Sequence, residues 1–432
     1  MLRLPTDVQF EITGTCNLRC RHCYRFDTDN MPAVNEIGEN KKIQLIQKLI
    51  DAHVYSLVIT GGEPLSRPDL TIKAVEMARK AGISVSINTN LLLLTPDIVA
   101  SLKKSEVNSI LVSCPASNPS IYRQITRGGD YYRFRRNLEM WHKSGISYLV
   151  NMVVTKDNFP FIRSTAKEMA EIGVKRFAAT PASLNVEHPD CDGLLSRSQI
   201  VSLLEDLKWC YDDLELEVDI LEVLPKCFLP AWCWEKKYSF MRRSCQAGRM
   251  SVSISNVGEV RPCSHNPVSF GNLLEESLET IWGKMSTYRD DSIPIVCQKC
   301  TAISSCNGGC RMNALAMTGS LKEMDRLAIG PIELPGKGRK EVILREDSLL
   351  RFKGKLRWRK ETGNEYSIAS KRNHHNIVVV NEEMFKFVSW LENTLPLTLN
   401  ELAIKCSASP GSTEFIEILR TIINKEFVSI DE

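Results

Sequence analysis

The sequence predicts an α/β protein: a partial (β/α)6, TIM-like barrel, then a cysteine-rich extension, then a small third unit. Three observations carry this. Short apolar stretches of strand character alternate with segments of helical period from residue 8 to residue 220, and strands that alternate with helices pair in parallel through crossover connections. Cysteines then gather between Pro225 and Gly330, and GPIELPGKGRK at 330–340 has the composition of a linker. The expected domains are therefore 1–225, 226–330 and 341–432.

The elements follow in order. Residues 8–13 (VQFEIT) alternate with a period of two, as a half-buried strand does, and end at the loop CNLRCRHCY, Cys16 to Tyr24. The helical period predicts helices over 35–52, 69–80, 96–103, 131–143, 159–172 and 196–210. Between them, apolar stretches predict strands over 56–60, 83–88, 109–113, 147–155, 174–180 and 214–220. About six such units make an incomplete barrel, in which chemistry gathers where strands end because the loops there share one mouth. Past the linker, 349–359, 366–370 and 377–380 read as strands. Asn381 caps a helix over 382–393, Thr398 starts a second, and Ser412 or Thr413 starts a third that ends near Asn424.

Composition narrows the function. A length of 432 residues suggests about three domains. Charged residues are 25% and the net charge is +3, with acids and bases interspersed, so no electrostatic footprint points to nucleic acid or to a membrane surface. The N-terminus lacks signal-peptide character and no run of ~20 apolar residues suggests a span, which places the chain in the cytoplasm. Fifteen cysteines in a reducing compartment are metal ligands by default where they cluster.

Several residues at predicted strand ends are chemically pointed. Cys16, Cys20 and Cys23 are spaced closely enough for three sulfurs to meet one metal centre. Two readings stay open: a structural zinc closed by His22, or an iron–sulfur cube that keeps one iron free for a small molecule. Gly61-Gly62-Glu63-Pro64 follows the second strand; the glycines let a ligand approach the backbone, Glu63 offers an anion for an ammonium, and Pro64 stiffens the turn. Asn88 and Asn90 follow the third strand and Ser113 the fourth, with Arg127 just beyond. Cys114, beside Ser113, is a candidate hydrogen-atom donor, whereas Cys191, Cys210 and Cys406 have no ligand spacing.

The CxxxCxxC loop, the aromatic Tyr24 after it and GGEP after the next strand resemble the radical S-adenosylmethionine (SAM) superfamily over roughly residues 5 to 220. The resemblance implies that Cys16, Cys20 and Cys23 hold a 4Fe-4S cluster whose open iron binds SAM. It implies SAM contacts at Tyr24, Gly61, Gly62, Glu63, Pro64, Asn88, Ser113 and Arg127. It also implies an external electron donor and cleavage of SAM to a 5′-deoxyadenosyl radical. Where relatives read Ser-Leu-Asp-Gly after the fourth strand, this chain reads Ser113-Cys114-Pro115-Ala116, so a family acid is absent there.

Cys245, Gly258, Cys263, Cys297, Cys300, Cys306 and Cys310 resemble the SPASM extension, which carries one or two auxiliary iron–sulfur clusters. By that resemblance one cluster takes Cys245, Cys263, Cys310 and an upstream ligand, Cys233 or Cys227. The other takes Cys297, Cys300, Cys306 and a later cysteine. That later cysteine is missing: Asp325 is followed by Arg326, Leu327 and Ala328, which leaves three ligands, a replacement such as Asp325, or no cluster. Zinc knuckles are the alternative for this region. Three strands followed by three helices at 341–432 resemble the winged-helix-like leader-peptide recognition element. The sequence thus implies a peptide maturase acting on a ribosomally made precursor with a leader. The competing readings are haem-pathway or sulfatase maturation, and a non-catalytic zinc-stabilised peptide-binding protein.

Overall fold

The computed structural model describes residues 2–23, 36–184, 186, 193–333, 343–370 and 373–431. Tyr24, Cys191 and residues 334–340 of the expected linker lie outside them. The chain divides into two compact units, Pro5–Pro335 and Gly336–Glu432 with Met1–Leu4. Among the described residues no helix is long and apolar enough to cross a membrane.

In the larger unit the order is β1 (Asp7–Thr13), α1 (Glu39–Asp51), β2 (Ser56–Gly61), α2 (Pro68–Lys80), β3 (Ser84–Thr89), α3 (Pro96–Lys104), β4 (Ser109–Ser113), α4 (Pro119–Thr126), α5 (Tyr131–Ser144), β5 (Tyr148–Val154), α6 (Ile162–Ile172), β6 (Arg176–Pro181), α7 (Arg197–Asp212) and β7 (Glu217–Asp219). Strands β1 to β7 lie side by side in sequence order, and every neighbouring pair is parallel. This is the expected incomplete barrel. The period of two in β1 is realised as a fully buried face of Val8, Phe10 and Ile12, each side chain contributing about 1.5–3 kcal/mol on burial. Helices start where short polar side chains cap them: Thr95 on α3, Asp130 on α5, and Ser196 with Gln199 in a capping box on α7.

Two features depart from expectation. The stretch before residue 131 holds an extra helix, α4, which begins at Asn118 as cap and Pro119 at the first helical position, a start signal that the sequence carried. The 159–172 helix is shorter, with a 3-10 turn over Phe159–Phe161 before α6.

The extension continues the barrel sheet rather than standing apart from it. Strand β8 (Ser251–Ile254) pairs in parallel with the free edge of β1, and β9 (Val260–Arg261) pairs antiparallel with β8, so the sheet has nine strands among the described residues. The short helices α8 (Leu278–Lys284), α9 (Ser286–Asp291), α10 (Ile303–Cys306) and α11 (Arg311–Thr318) follow.

The smaller unit contains β10 (Leu349–Phe352), β11 (Leu356–Lys360), β12 (Glu365–Ser370), β13 (Asn373–Asn381), α12 (Glu382–Thr394), β14 (Leu397–Thr398), α13 (Leu399–Lys405), α14 (Thr413–Asn424) and β15 (Val428–Asp431). It forms two three-stranded sheets, β14-β10-β15 and β11-β12-β13. The single strand expected over 349–359 is therefore two, broken where Gly354 takes a φ of +86°, a conformation that glycine adopts without steric cost. Its core gathers Leu350, Ile368, Val388, Leu391, Leu402 and Leu419 from both sheets and all three helices.

Candidate functional site

The chain leaves β1 at Thr13 and enters the Cys16–Cys23 loop at once, and the turn after β2 is built to receive it. Gly62 N–H donates to the Thr13 carbonyl (2.7 Å) and Glu63 N–H to that of Thr15 (2.8 Å). A Cβ on Gly61 would lie 2.2 Å from the Thr13 oxygen, and one on Gly62 2.1 Å from the Thr15 oxygen. The two glycines thus admit the backbone of the cysteine loop itself, a closer contact than the ligand approach expected from sequence. Across the loop, Arg21 N–H donates to the Ile125 carbonyl (2.9 Å) at the end of α4. The Asn90 side-chain amide donates to Asn17 Oδ1 (2.8 Å).

Glu63 is buried and braces this arrangement. Its Oε1 accepts from Leu65 N–H (3.0 Å) and Thr89 Oγ1 (2.7 Å), and its Oε2 from Asn90 N–H (2.7 Å). Burial raises its pKa and those donors oppose the rise. The carboxylate therefore fixes the end of β3 against the turn after β2. Pro64 opens the 3-10 turn that follows.

Cys16, Cys20 and Cys23 come together as the spacing requires. Burial pushes the Cys20 thiol up to about 12, with Cys23 and then Cys16 adding repulsion, so the three sulfurs lie close enough to act on one another. Among the described residues no three His, Cys, Asp or Glu side chains close on one point as ligands of a single ion would; a cube, whose thiolates bind separate irons, asks for a wider spread. Burial lowers His22 to about 4, and its Nδ1 has no hydrogen-bond partner.

A small cavity of about 20 Å³ adjoins Cys20 and is lined by His22, Asn90, Ser113, Cys114 and Asn151 among others. The Tyr122 hydroxyl, on the same wall, is buried and likewise unpartnered. Such orphaned polar atoms are what a bound polar ligand satisfies. Ser113 is in register with Asn151, whose Oδ1 accepts from Thr180 Oγ1 (2.7 Å), so a polar layer crosses the ends of β4, β5 and β6. Sequence reasoning missed Asn151; its signal was one amide inside the apolar run YLVNMVV. Asn88 is half-buried on β3, in register with Leu111. Arg127 is exposed, in the left-handed conformation that ends α4, and does not join the cavity wall. Cys114 is fully buried, with its thiol 3.6 Å from the Ala116 carbonyl oxygen.

The extension sorts its cysteines into two groups. Burial pushes Cys263 up to about 12, with Cys245 the next contribution, and Cys310 well above the thiol range, with Glu222, Asp325 and Cys245 adding to it. Glu222 follows β7, accepts from Ser183 Oγ (2.6 Å), and is raised by burial against the help of hydrogen bonds from Ser183 and Cys310. The second group surrounds another small cavity, of about 20 Å³, lined by Cys297, Cys300, Cys306 and also Cys227.

Two expected ligands fall elsewhere. The Cys233 sulfur lies against Met241 Sδ (3.4 Å), and no other cysteine is among the groups that act on it. It sits in a 3-10 turn, Ala231–Trp234, that aims it into packing. Asp325 is 2% exposed. Its Oδ2 accepts from Cys310 N–H (2.9 Å) and its Oδ1 from Leu327 N–H (2.9 Å), so both oxygens already hold backbone.

Comparison with known proteins agrees with this geometry. Residues 10–160 match the radical SAM superfamily and residues 245–310 the SPASM iron–sulfur cluster-binding domain. The chain is an enzyme with a radical SAM domain and a SPASM domain. It is 27% identical over 351 residues to an AdoMet-dependent heme synthase of Methanosarcina barkeri, covering 76% of this chain and 97% of that protein. It is 25% identical over 328 residues to the mycofactocin maturase MftC of Mycolicibacterium smegmatis, covering 74% of this chain and 81% of that one. Its fold is similar to that of Streptococcus suis SuiB bound to the precursor peptide SuiA, with a TM-score of 0.62 and 19% identity over 75% of this chain and 76% of that one. The family's cofactors are a 4Fe-4S cluster with SAM in the barrel and auxiliary iron–sulfur clusters in the SPASM domain. The donor set here fits them: three crowded thiols beside a cavity with orphaned polar atoms, and two further groups of thiols.

Proposed function

We propose that this enzyme matures a ribosomally made precursor peptide, with the smaller unit holding the leader and the barrel acting on the core. The observation that carries the reading is the surface of the smaller unit. Strand β11 is the edge of its sheet and has no outer strand partner among the described residues. Trp358 on that edge is 51% exposed and lies 4.9 Å from Phe385 of α12, on which Tyr366 stacks at 4.2 Å. An open edge beside an aromatic face suits an extended peptide that adds a strand and rests on a helix. Likeness to MftC and to peptide-bound SuiB supports it.

In the barrel, Cys16, Cys20 and Cys23 would hold the cluster, and the 61–64 turn, Asn88, Asn90 and Ser113 would serve SAM. Bound there, these groups supply hydrogen-atom abstraction. The protein's part is placement: the Gly61-Gly62 turn fixes the cysteine loop, Glu63 fixes the end of β3, and Ser113 with Asn151 presents hydrogen-bonding groups toward the ligand. Likeness to the heme synthase favours a second reading, action on a haem precursor.

The test uses the reconstituted full-length enzyme with SAM, a reductant and a short peptide encoded beside its gene. The expected result is a mass change in the peptide with 5′-deoxyadenosine formed in step. An unchanged peptide, with a haem precursor consumed instead, would establish the second reading.

A further inference from the structure

We infer that Cys227 is the fourth thiolate of a second auxiliary iron–sulfur site, with Cys297, Cys300 and Cys306, standing in for the later cysteine that this chain lacks. The four cysteines share one cavity, and Ala328 lines the same wall. Ala328 belongs to the Asp325–Ala328 run where a cysteine was expected, and its methyl group can bind no metal. The thiol comes instead from the Lys226–Phe228 turn, about a hundred residues earlier in the chain.

The backbone is arranged for sulfur as acceptor. Ile329 N–H donates to Cys227 Sγ (3.3 Å) and Lys226 N–H to Cys306 Sγ (3.3 Å). Ile332 N–H donates to Cys300 Sγ (3.4 Å), while the Cys300 thiol itself donates to the Ile332 carbonyl (3.5 Å). Hydrogen bonds from backbone amides stabilise thiolate and tune a cluster. Residues 226 and 227 therefore contribute both a sulfur and a donor to the same group. The two rivals are engaged: Asp325 by two backbone amides, Cys233 by Met241. This assignment leaves Cys245, Cys263 and Cys310 with Glu222 as the other group. It concerns ligation alone and holds whatever the substrate is.

The test compares wild type, Cys227→Ala and Cys233→Ala as full chains reconstituted anaerobically, by iron and sulfide count and by electron paramagnetic resonance of the reduced protein. Cys233→Ala should match wild type. Cys227→Ala should lose one auxiliary signal and up to about four irons per chain, while the SAM-responsive barrel signal remains. A full iron count with an unchanged spectrum in Cys227→Ala would overturn the assignment. Should that variant fail to fold, alkylation of wild type decides: Cys227 should be protected until iron is chelated, together with Cys297, Cys300 and Cys306. Equal labelling of Cys227 before and after chelation would overturn it too.

Discussion

At Gly62 the missing side chain is the functional feature, because the Thr15 carbonyl occupies the space a Cβ would need. Gly62→Ala should therefore push the cysteine loop outward. The expected cost is about 1–3 kcal/mol, as for overpacking elsewhere, read as a lower thermal midpoint. The barrel cluster's response to SAM should weaken while the auxiliary signals stay; an unchanged response would show that the loop tolerates the shift. The sequence showed the GGEP turn and the anion of Glu63, but not what Glu63 holds. Its donors Thr89 and Asn90 lie 26 and 27 residues away, a pairing that only the fold creates. Cys227 is similar. The resemblance leaves it and Cys233 open alike as the upstream ligand beside Cys245, Cys263 and Cys310, and which thiol meets other sulfurs depends on the turn that carries it.

Among the elements, α11 shows how the extension keeps its cysteines in place. Arg311 at its start is 3% exposed and donates to the carbonyls of Leu321 (2.9 Å), Glu323 (2.7 Å) and Gly308. It thereby ties the turn before Cys310 to the loop after the helix. Arg311→Met should leave the buried Gly308 carbonyl and the two part-buried ones of Leu321 and Glu323 without this donor, at a cost of about 1–3 kcal/mol. Iron bound through Cys310 should fall more than barrel iron, measured by the same iron counts and spectra. Equal retention of both would mean that other contacts suffice. Element types were largely legible, because caps at Thr95, Asp130 and Ser196 and alternation in β1 are local signals. The Asn118-Pro119 start of α4 is a local signal as well. The pairing of β8 with β1 was not legible, since it joins segments about 240 residues apart through backbone hydrogen bonds that no side-chain pattern encodes.

At the scale of the whole molecule, the parallel order of β1 to β7 and the separation of a C-terminal unit follow from the alternation of elements and the linker composition. The internal architecture of that unit was less legible. Its two sheets depend on the break at Gly354 and on the short strands β14 and β15, which have few residues to carry a pattern. Its stability also draws on a buried pair: Glu361 accepts from Arg359 Nε (2.8 Å), Ser367 Oγ (2.6 Å) and the backbone N–H of Arg3 (2.7 Å). Arg359 in turn donates to the Leu4 carbonyl (2.7 Å), so residues before the barrel complete this unit. The division of labour between the units is the centre of the account, and amide hydrogen exchange of the full chain with and without precursor peptide tests it most directly. The account predicts new protection along β11, the edge strand that carries Trp358, when the leader binds. Tight binding with protection confined to the barrel, and none within 343–431, would contradict it.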